Sequence, residues 1–207
     1  MALAAEPSPP TTVVDPAVAI DVHLADSLSA LELPELRQAT TICDIGAGAG
    51  FPGLVLAAAL PEARVDLVES TARKGEVITR LAASANLSNA FVHAVRAEEW
   101  AADEGVESYE IVTARALSSL AVLAEYAAPL LELGGSLIAW KGARDSEEEA
   151  AGAQAAAILG LEPAPPVLVR PFKGSRKRNL YVYTKTNATP ERFPRRAGMA
   201  TKRPLAP

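Results

Sequence analysis

The chain of 207 residues has a single cysteine, Cys43, so no internal disulfide framework can hold it together. That count fits a reducing, cytoplasmic setting. No apolar run reaches the roughly 18 residues that a membrane-spanning helix needs. The first residues, MALAAEPSPP, have neither a basic n-region nor a long apolar h-region, so no secretory signal is read there. Aromatic residues make up only 5%. The apolar share is nevertheless 49%, much of it alanine, which favours helices packed closely on a sheet. One compact α/β domain with short extra segments suits this length.

The net charge of −5 argues against a polyanionic partner until its distribution is considered. From Arg170 to Pro207 there are 11 Lys+Arg and one acid, Glu191, giving +10; the first 169 residues hold 9 basic and 24 acidic residues, giving −15. Such asymmetry is either an electrostatic footprint for nucleic acid or a solvated basic tail on an acidic body. Charge alone does not separate the two.

Residues 1–14 are rich in Pro, Ser and Thr and are expected to be disordered. Asp15-Pro16 reads as N-cap and first position of a helix whose apolar residues Ile20, Leu24, Leu28 and Leu31 recur at helical spacing, ending before Pro34. Strand and helix patterns then alternate. The strands are expected at Ile42–Ile45, Arg64–Glu69, Ala90–Val95, Glu110–Ala114, Ser136–Trp140, Val167–Arg170 and Leu180–Thr184, with helices starting near Pro52, Thr71, Ala97, Ser118 and Asp145. This alternation predicts a Rossmann-like α/β fold: a seven-stranded, mostly parallel sheet with helices on both faces. Gly134-Gly135 suits a tight turn before the fifth strand. The domain is expected over residues 15–185, with 15–33 as its N-terminal helix and 186–207 as a basic arm rather than a packed element.

The sharpest local feature is Asp44-Ile45-Gly46-Ala47-Gly48-Ala49-Gly50-Phe51-Pro52-Gly53, between the first strand and a helix. Alternating glycines permit a tight turn and close approach of a ligand. Glu69 ends the second strand, 23 residues after Gly46, where a carboxylate can accept both hydroxyls of an adenosine ribose. Dinucleotide sites need helix N-terminal amides for pyrophosphate, and Pro52 has none to offer. The frame Gly46-x-Gly48-x-Gly50 after Asp44 is instead the form of S-adenosylmethionine sites.

After the fourth strand stands Thr113-Ala114-Arg115-Ala116. Transfer to exocyclic amines of adenine or cytosine uses an Asn/Asp-Pro-Pro-aromatic motif at this place, and it is absent. Transfer to pyrimidine C5 needs a cysteine nucleophile, and Cys43 lies inside the first strand. Ring nitrogens with an exposed lone pair remain, guanine N7 foremost, for which the protein supplies placement and charge compensation and no catalytic base is assigned. Arg115 is expected at the mouth of the site, on a cofactor carboxylate, guanine O6 or a phosphate.

The sequence resembles the bacterial small-subunit rRNA guanine-N7 methyltransferases, also called the glucose-inhibited division protein B (methyltransferase G) family. The resemblance spans residues 20–205. It is carried by His23-Leu24-Ala25-Asp26-Ser27-Leu28, the Asp44–Gly53 loop, Val68-Glu69-Ser70 with Arg73-Lys74, Arg96-Ala97-Glu98-Glu99, Ala114-Arg115-Ala116, Lys141-Gly142, and Phe193-Pro194-Arg195-Arg196-Ala197-Gly198 through Lys202-Arg203-Pro204-Leu205. It implies methylation of N7 of guanine 527 in 16S rRNA, on naked RNA or a small-subunit precursor, by a cytoplasmic monomer. It places cofactor contacts on Gly46, Phe51, Ala97, Glu98 and Arg115, beside the Gly48, Gly50 and Glu69 of the loop argument. Arg195, Arg196, Lys202, Arg203 and Lys141 are the expected RNA contacts, with Arg176, Lys177 and Arg178 in addition; no metal ligand is expected. The N-terminal region is shorter than is usual in that family, and Val22 stands where a basic residue commonly precedes the histidine. Two other readings stay open: a small-molecule methyltransferase, or a non-catalytic RNA-associated protein on the same fold.

Overall fold

The computed structural model describes residues 3, 6, 10–13, 15–175 and 177–206. Its centre is a sheet in the order β3-β2-β1-β4-β5-β8-β6, with β7 pairing β8 off this path. The strands are β1 (Thr41–Ile45), β2 (Arg64–Val68), β3 (Ala90–His93), β4 (Tyr109–Arg115), β5 (Leu131–Lys141), β6 (Leu161–Pro163), β7 (Val167–Val169) and β8 (Arg178–Lys185). The pairs from β3 to β5 are parallel, and β8 runs antiparallel to β5, β6 and β7. All seven expected strands are present. The eighth, β6, is three residues with one buried, Leu161, too short to carry an alternation.

Side chains alternate across this sheet with the period of two that a strand imposes. Leu137 and Ala139 join one core cluster, and Ile138 and Trp140 join the other. Helices α4 (Gly53–Ala59) and α5 (Ala72–Ser84) cover the second cluster, while α6 (Ala97–Trp100), α7 (Leu120–Ala127) and α8 (Ser146–Leu159) cover the first. Asp145 caps α8 through Oδ1, which accepts from the amides of Glu147 and Glu148, and Gly160 ends it in the left-handed region. Among the described residues no helix is long and apolar enough to cross a membrane.

Three features depart from the sequence expectation. Gly134-Gly135 is a bulge inside β5, where the register with β4 jumps from Tyr109↔Leu131 to Ile111↔Ser136. A Cβ on Gly135 would lie 2.8 Å from the Tyr109 carbonyl oxygen, so the backbones approach too closely for any side chain.

The N-terminal helical segment begins as expected, with α1 (Pro16–Ala19) capped by Asp15, then widens into a π-helical stretch at Ile20–Ala25 before α2 (Asp26–Leu28). Its inward face is polar. His23, Asp26 and Ser27 are buried, whereas Ile20, Leu24 and Leu28 are exposed. Polar partners on β4, β5 and β8 hold this face in, and periodicity cannot register them. A one-turn 3₁₀ segment, Ser29–Glu32, and α3 (Pro34–Gln38) lead into β1.

The C-terminal segment is packed, not free. Phe193, Ala200 and Ala206 are buried, and α9 (Met199–Lys202) lies against α7. Lys185 anchors its start: Nζ is buried and donates to Glu107 and to the carbonyls of Ala128 and Leu131. Arg195 locks it further on. Its Nε and Nη2 donate to both oxygens of Glu125 at 2.6 and 2.5 Å, and Nη2 also donates to the Arg203 carbonyl. Glu125 is only 3% exposed, so its charge depends on this partner. Arg195→Ala should therefore lower the unfolding free energy by about 2–3 kcal/mol in urea titrations. A change under about 0.5 kcal/mol, as for an ordinary surface position, would contradict the pairing.

Candidate active site

Strand order reverses between β1 and β4, and ligands of open α/β sheets sit beyond the carboxyl ends of the strands at such a point. There the glycine loop leaves β1. Gly46, Gly48 and Gly50 have φ of +65°, +61° and +90°, in the left-handed region that favours glycine. Their surroundings differ. A Cβ on Gly46 would strike Leu117 and one on Gly50 would strike Leu54, each at 2.5 Å. A Cβ on Gly48 would meet only the Gly46 carbonyl at 3.8 Å, on an open face. Gly48 is thus where a ligand can approach bare backbone; Gly50 serves the packing of α4 and does not line the cavity.

Two buried carboxylates hold the loop. Asp44 Oδ2 accepts from the Gly53 amide at 2.9 Å, and Oδ1 accepts from the Thr113 hydroxyl at 2.9 Å. Pro52 has no N–H and Asp44 occupies that of Gly53, so the start of α4 presents no donor pair to a pyrophosphate. Glu69 Oε2 accepts from the Gly48 amide at 3.0 Å, and Oε1 accepts from the Thr71 amide at 2.9 Å. Each Glu69 oxygen keeps a second lone pair, which suits it to accept hydroxyls as well.

A cavity of about 410 Å³ opens over this loop, within the range of small-molecule sites. Gly46, Gly48, Phe51, Glu69, His23 and Arg115 are among its walls. The His23 ring stacks on Phe51 with centroids 4.5 Å apart and planes 3° from parallel. Burial and the Arg115 charge push the His23 pKa down, so the ring is held neutral near pH 7. Arg115 reaches across from the end of β4, where Nη1 donates at 3.0 Å to both the Val22 carbonyl and Asp26 Oδ2.

Beyond Arg115 lies a second cavity of about 360 Å³, which shares His23, Arg115 and Ala116 with the first and adds Asp26, Trp140 and Arg178. Trp140 Nε1 donates to the Asp26 carbonyl at 2.9 Å. Lys141 also lines it, with Nζ at 2.5 Å from Glu148 Oε1 and 3.1 Å from the Ser118 carbonyl.

The expected site residues thus divide. Gly46, Gly48, Phe51, Glu69 and Arg115 meet around one cavity. Ala97 and Glu98 open α6 beyond β3 and line neither cavity; Glu98 Oε1 accepts from the Gly198 amide at 2.7 Å and so ties down the C-terminal segment. Arg196, Lys202 and Arg203 are exposed, as is Lys177. Arg195 is not such a cation, because Glu125 holds it; Arg176 lies outside the described residues. Asp26 was unassigned by sequence reasoning. The signal was an acid three residues after His23 in an otherwise apolar stretch, on the face its apolar neighbours avoid.

The sheet and the placement of these cavities define the class I methyltransferase fold. The likeness to solved structures agrees. The S-adenosylmethionine-dependent methyltransferase SibL matches with a TM-score of 0.59 over 78% of this chain and 55% of its own, at 16% identity. The antibiotic-resistance methyltransferase Kmr matches with a TM-score of 0.58 over 77% of this chain and 92% of its own, at 19% identity. Sequence comparison goes further. The family model of rRNA small subunit methyltransferase G (GidB) matches residues 11–178. The protein of that name from Rubrobacter xylanophilus is 40% identical over 92% of this chain and 75% of its own. The one from Pelotomaculum thermopropionicum is 40% identical over 88% and 77%. This chain belongs to the rRNA small subunit methyltransferase G family and is an enzyme of the methyltransferase class.

Complete burial raises the Asp44 pKa to about 6, against the lowering effects of Gly53, Thr113 and Arg115. A carboxyl raised in the folded state holds its proton there when the unfolded chain has released it. Its contribution therefore falls as pH rises from about 4 through 6, by about 2–3 kcal/mol. Asp44→Asn keeps an acceptor for Gly53 and a donor for Thr113, and should remove that decline from the stability–pH curve. An unaltered curve between pH 4 and 7 would show that Asp44 titrates normally.

Proposed function

We propose that this enzyme transfers the methyl group of S-adenosylmethionine to N7 of a guanine in 16S ribosomal RNA, the guanine at position 527. One observation carries the reading: Arg115 and Ala116, with His23, form a common wall between two cavities, one over the glycine loop and one beyond the end of β4. A donor on one side and an acceptor base on the other is the arrangement that methyl transfer needs.

The residues around the first cavity fit the donor. Gly48 offers bare backbone, Glu69 takes the ribose hydroxyls, and Gly46, Phe51 and Arg115 complete the enclosure. Gly50 acts from behind through Leu54; Ala97 and Glu98 stay at the start of α6 outside both cavities, the Glu98 carboxylate being already used. When bound, S-adenosylmethionine supplies an electrophilic methyl on a sulfonium. Guanine N7 attacks with a lone pair that is free at neutral pH, so the protein has no proton to remove and its work is alignment.

RNA phosphates meet the exposed Arg196, Lys202 and Arg203, and Lys177 and Arg178 where β8 begins; Arg176 belongs to the same basic run. Lys141, inside the second cavity, exchanges Glu148 for the nucleotide. Arg195 stands out of this set. The substrate is 16S rRNA or a small-subunit precursor, met by a monomer in the cytoplasm.

S-adenosylmethionine at a hundred times its Kd should stabilise the protein by about 2.7 kcal/mol in thermal melts, and NAD should have no effect. Gly48→Val, which sets a branched side chain at positive φ in the open face, should remove that response. Stabilisation by NAD alone would overturn the reading of the loop. For RNA, Arg196→Ala, Lys202→Ala and Arg203→Ala should each flatten the dependence of log affinity on log salt by about 0.7–0.9, whereas Arg195→Ala should flatten it little. Equal slopes for all four variants and wild type would leave the segment without a role in binding. The transfer itself is checked with purified enzyme, labelled cofactor and unmodified 16S rRNA, followed by mass mapping. 7-Methylguanine at one site is expected, and a methyl on an adenine or cytosine amine would refute the proposal.

A further inference from the structure

The second cavity contains an unsatisfied group. Asp26 is 2% exposed, and its Oδ1 has no hydrogen-bond partner. Its other oxygen is taken by Arg115 at 3.0 Å. Arg178 Nε lies 3.1 Å from Oδ1 as an ion pair without the alignment of a hydrogen bond, and its side chain is 35% exposed. That oxygen is held by an ion pair alone, so it keeps lone pairs that a ligand entering the second cavity can engage with aligned donors.

The donor must be neutral, planar and rich in adjacent N–H groups to suit this place. Trp140 and His23 are the aromatic members of its lining, and Arg115 already supplies Oδ2 with its charged partner. Guanine presents N1–H and the N2 amino group side by side on its Watson–Crick edge. Adenine presents an unprotonated N1 there, whose lone pair a carboxylate repels.

We propose that Asp26 is the residue that reads the target base as guanine, its Oδ1 accepting from N1–H and N2–H in the second cavity and leaving N7 free to react. The proposal rests on the guanine assignment above. Arg178 gives up Oδ1 as the base enters and turns to a phosphate, next to the exposed Lys177 at the start of β8. Asp26 thereby joins two tasks: it braces Arg115 with one oxygen and selects the base with the other.

Small-subunit rRNA carrying either guanosine or inosine at the target position separates these tasks, because inosine lacks only the 2-amino group. For wild type, kcat/KM should fall about ten-fold or more on inosine, the effect of losing a hydrogen bond to a buried charge. In Asp26→Asn, Arg115 retains the side-chain oxygen and the amide nitrogen faces the base, a donor against donors. This variant should bind S-adenosylmethionine, lose activity on guanosine by a comparable factor, and treat the two RNAs alike. Asp26→Ser replaces it should the amide variant not fold. Equal wild-type rates on guanosine and inosine would overturn the proposal, as would a variant that keeps the wild-type preference, since a mere brace for Arg115 affects both RNAs equally. Absence of any wild-type transfer to guanosine would instead refute the guanine assignment itself, and the proposal with it.

Discussion

Arg115 joins the sheet to the N-terminal helical segment and borders both cavities. It leaves the carboxyl end of a central strand, and the N-terminal helical segment docks through it. The Val22 carbonyl and Asp26 Oδ2 both accept from Nη1, while Nη2 lies 3.5 Å from His23 Nδ1, whose ring stacks on Phe51. Without that cation, the inward polar face of the segment would bury Asp26 with only Arg178 to answer it. The two cavities exist as separate spaces because this one side chain and its partners stand between them. A charge-assisted pair in a mostly buried setting is costly to break, because removing one partner leaves the other buried without compensation.

A second constraint runs beneath it. The glycine loop would be soft by itself, since glycine gives up more backbone freedom on folding than any other residue. Asp44 and Glu69 compensate, Asp44 by taking the Gly53 amide at the loop's far end and Glu69 by taking the Gly48 amide at its middle. Holding Asp44 in a dry interior costs stability at neutral pH. The return is a loop whose one open face, at Gly48, is already shaped before a ligand arrives.

Much of this was legible in the sequence because it depends on local chemistry. The β-branched run before Asp44, the glycine spacing and the acid at Glu69 each follow from strand and turn requirements, and the structure brings Gly46, Gly48 and Glu69 to one cavity. The Asp15 cap was legible for the same reason, as was a helix start near Asp145, whose capping role the structure adds. What escaped depends on distant partners. The helical stripe Ile20, Leu24, Leu28 pointed to a buried apolar face, yet the segment turns His23 and Asp26 inward, because Arg115, some ninety residues away, and Trp140 meet them there. Charge counting marked Arg195 as one cation among several; only Glu125, on a helix seventy residues earlier, reveals it as a structural lock. The arm that its composition suggested is held by Phe193, Ala200 and Ala206, too sparse a set to form a readable pattern.

Whether Arg115 builds the wall between donor and acceptor is read most directly from calorimetry of S-adenosylmethionine binding to Arg115→Ala, beside turnover of the same variant. Affinity and turnover should fall together, affinity by about ten-fold or more, because loss of the charged bonds releases His23 from the first cavity and Val22 from the second. Unchanged affinity together with unchanged turnover would contradict it and leave Arg115 a bystander at the end of β4.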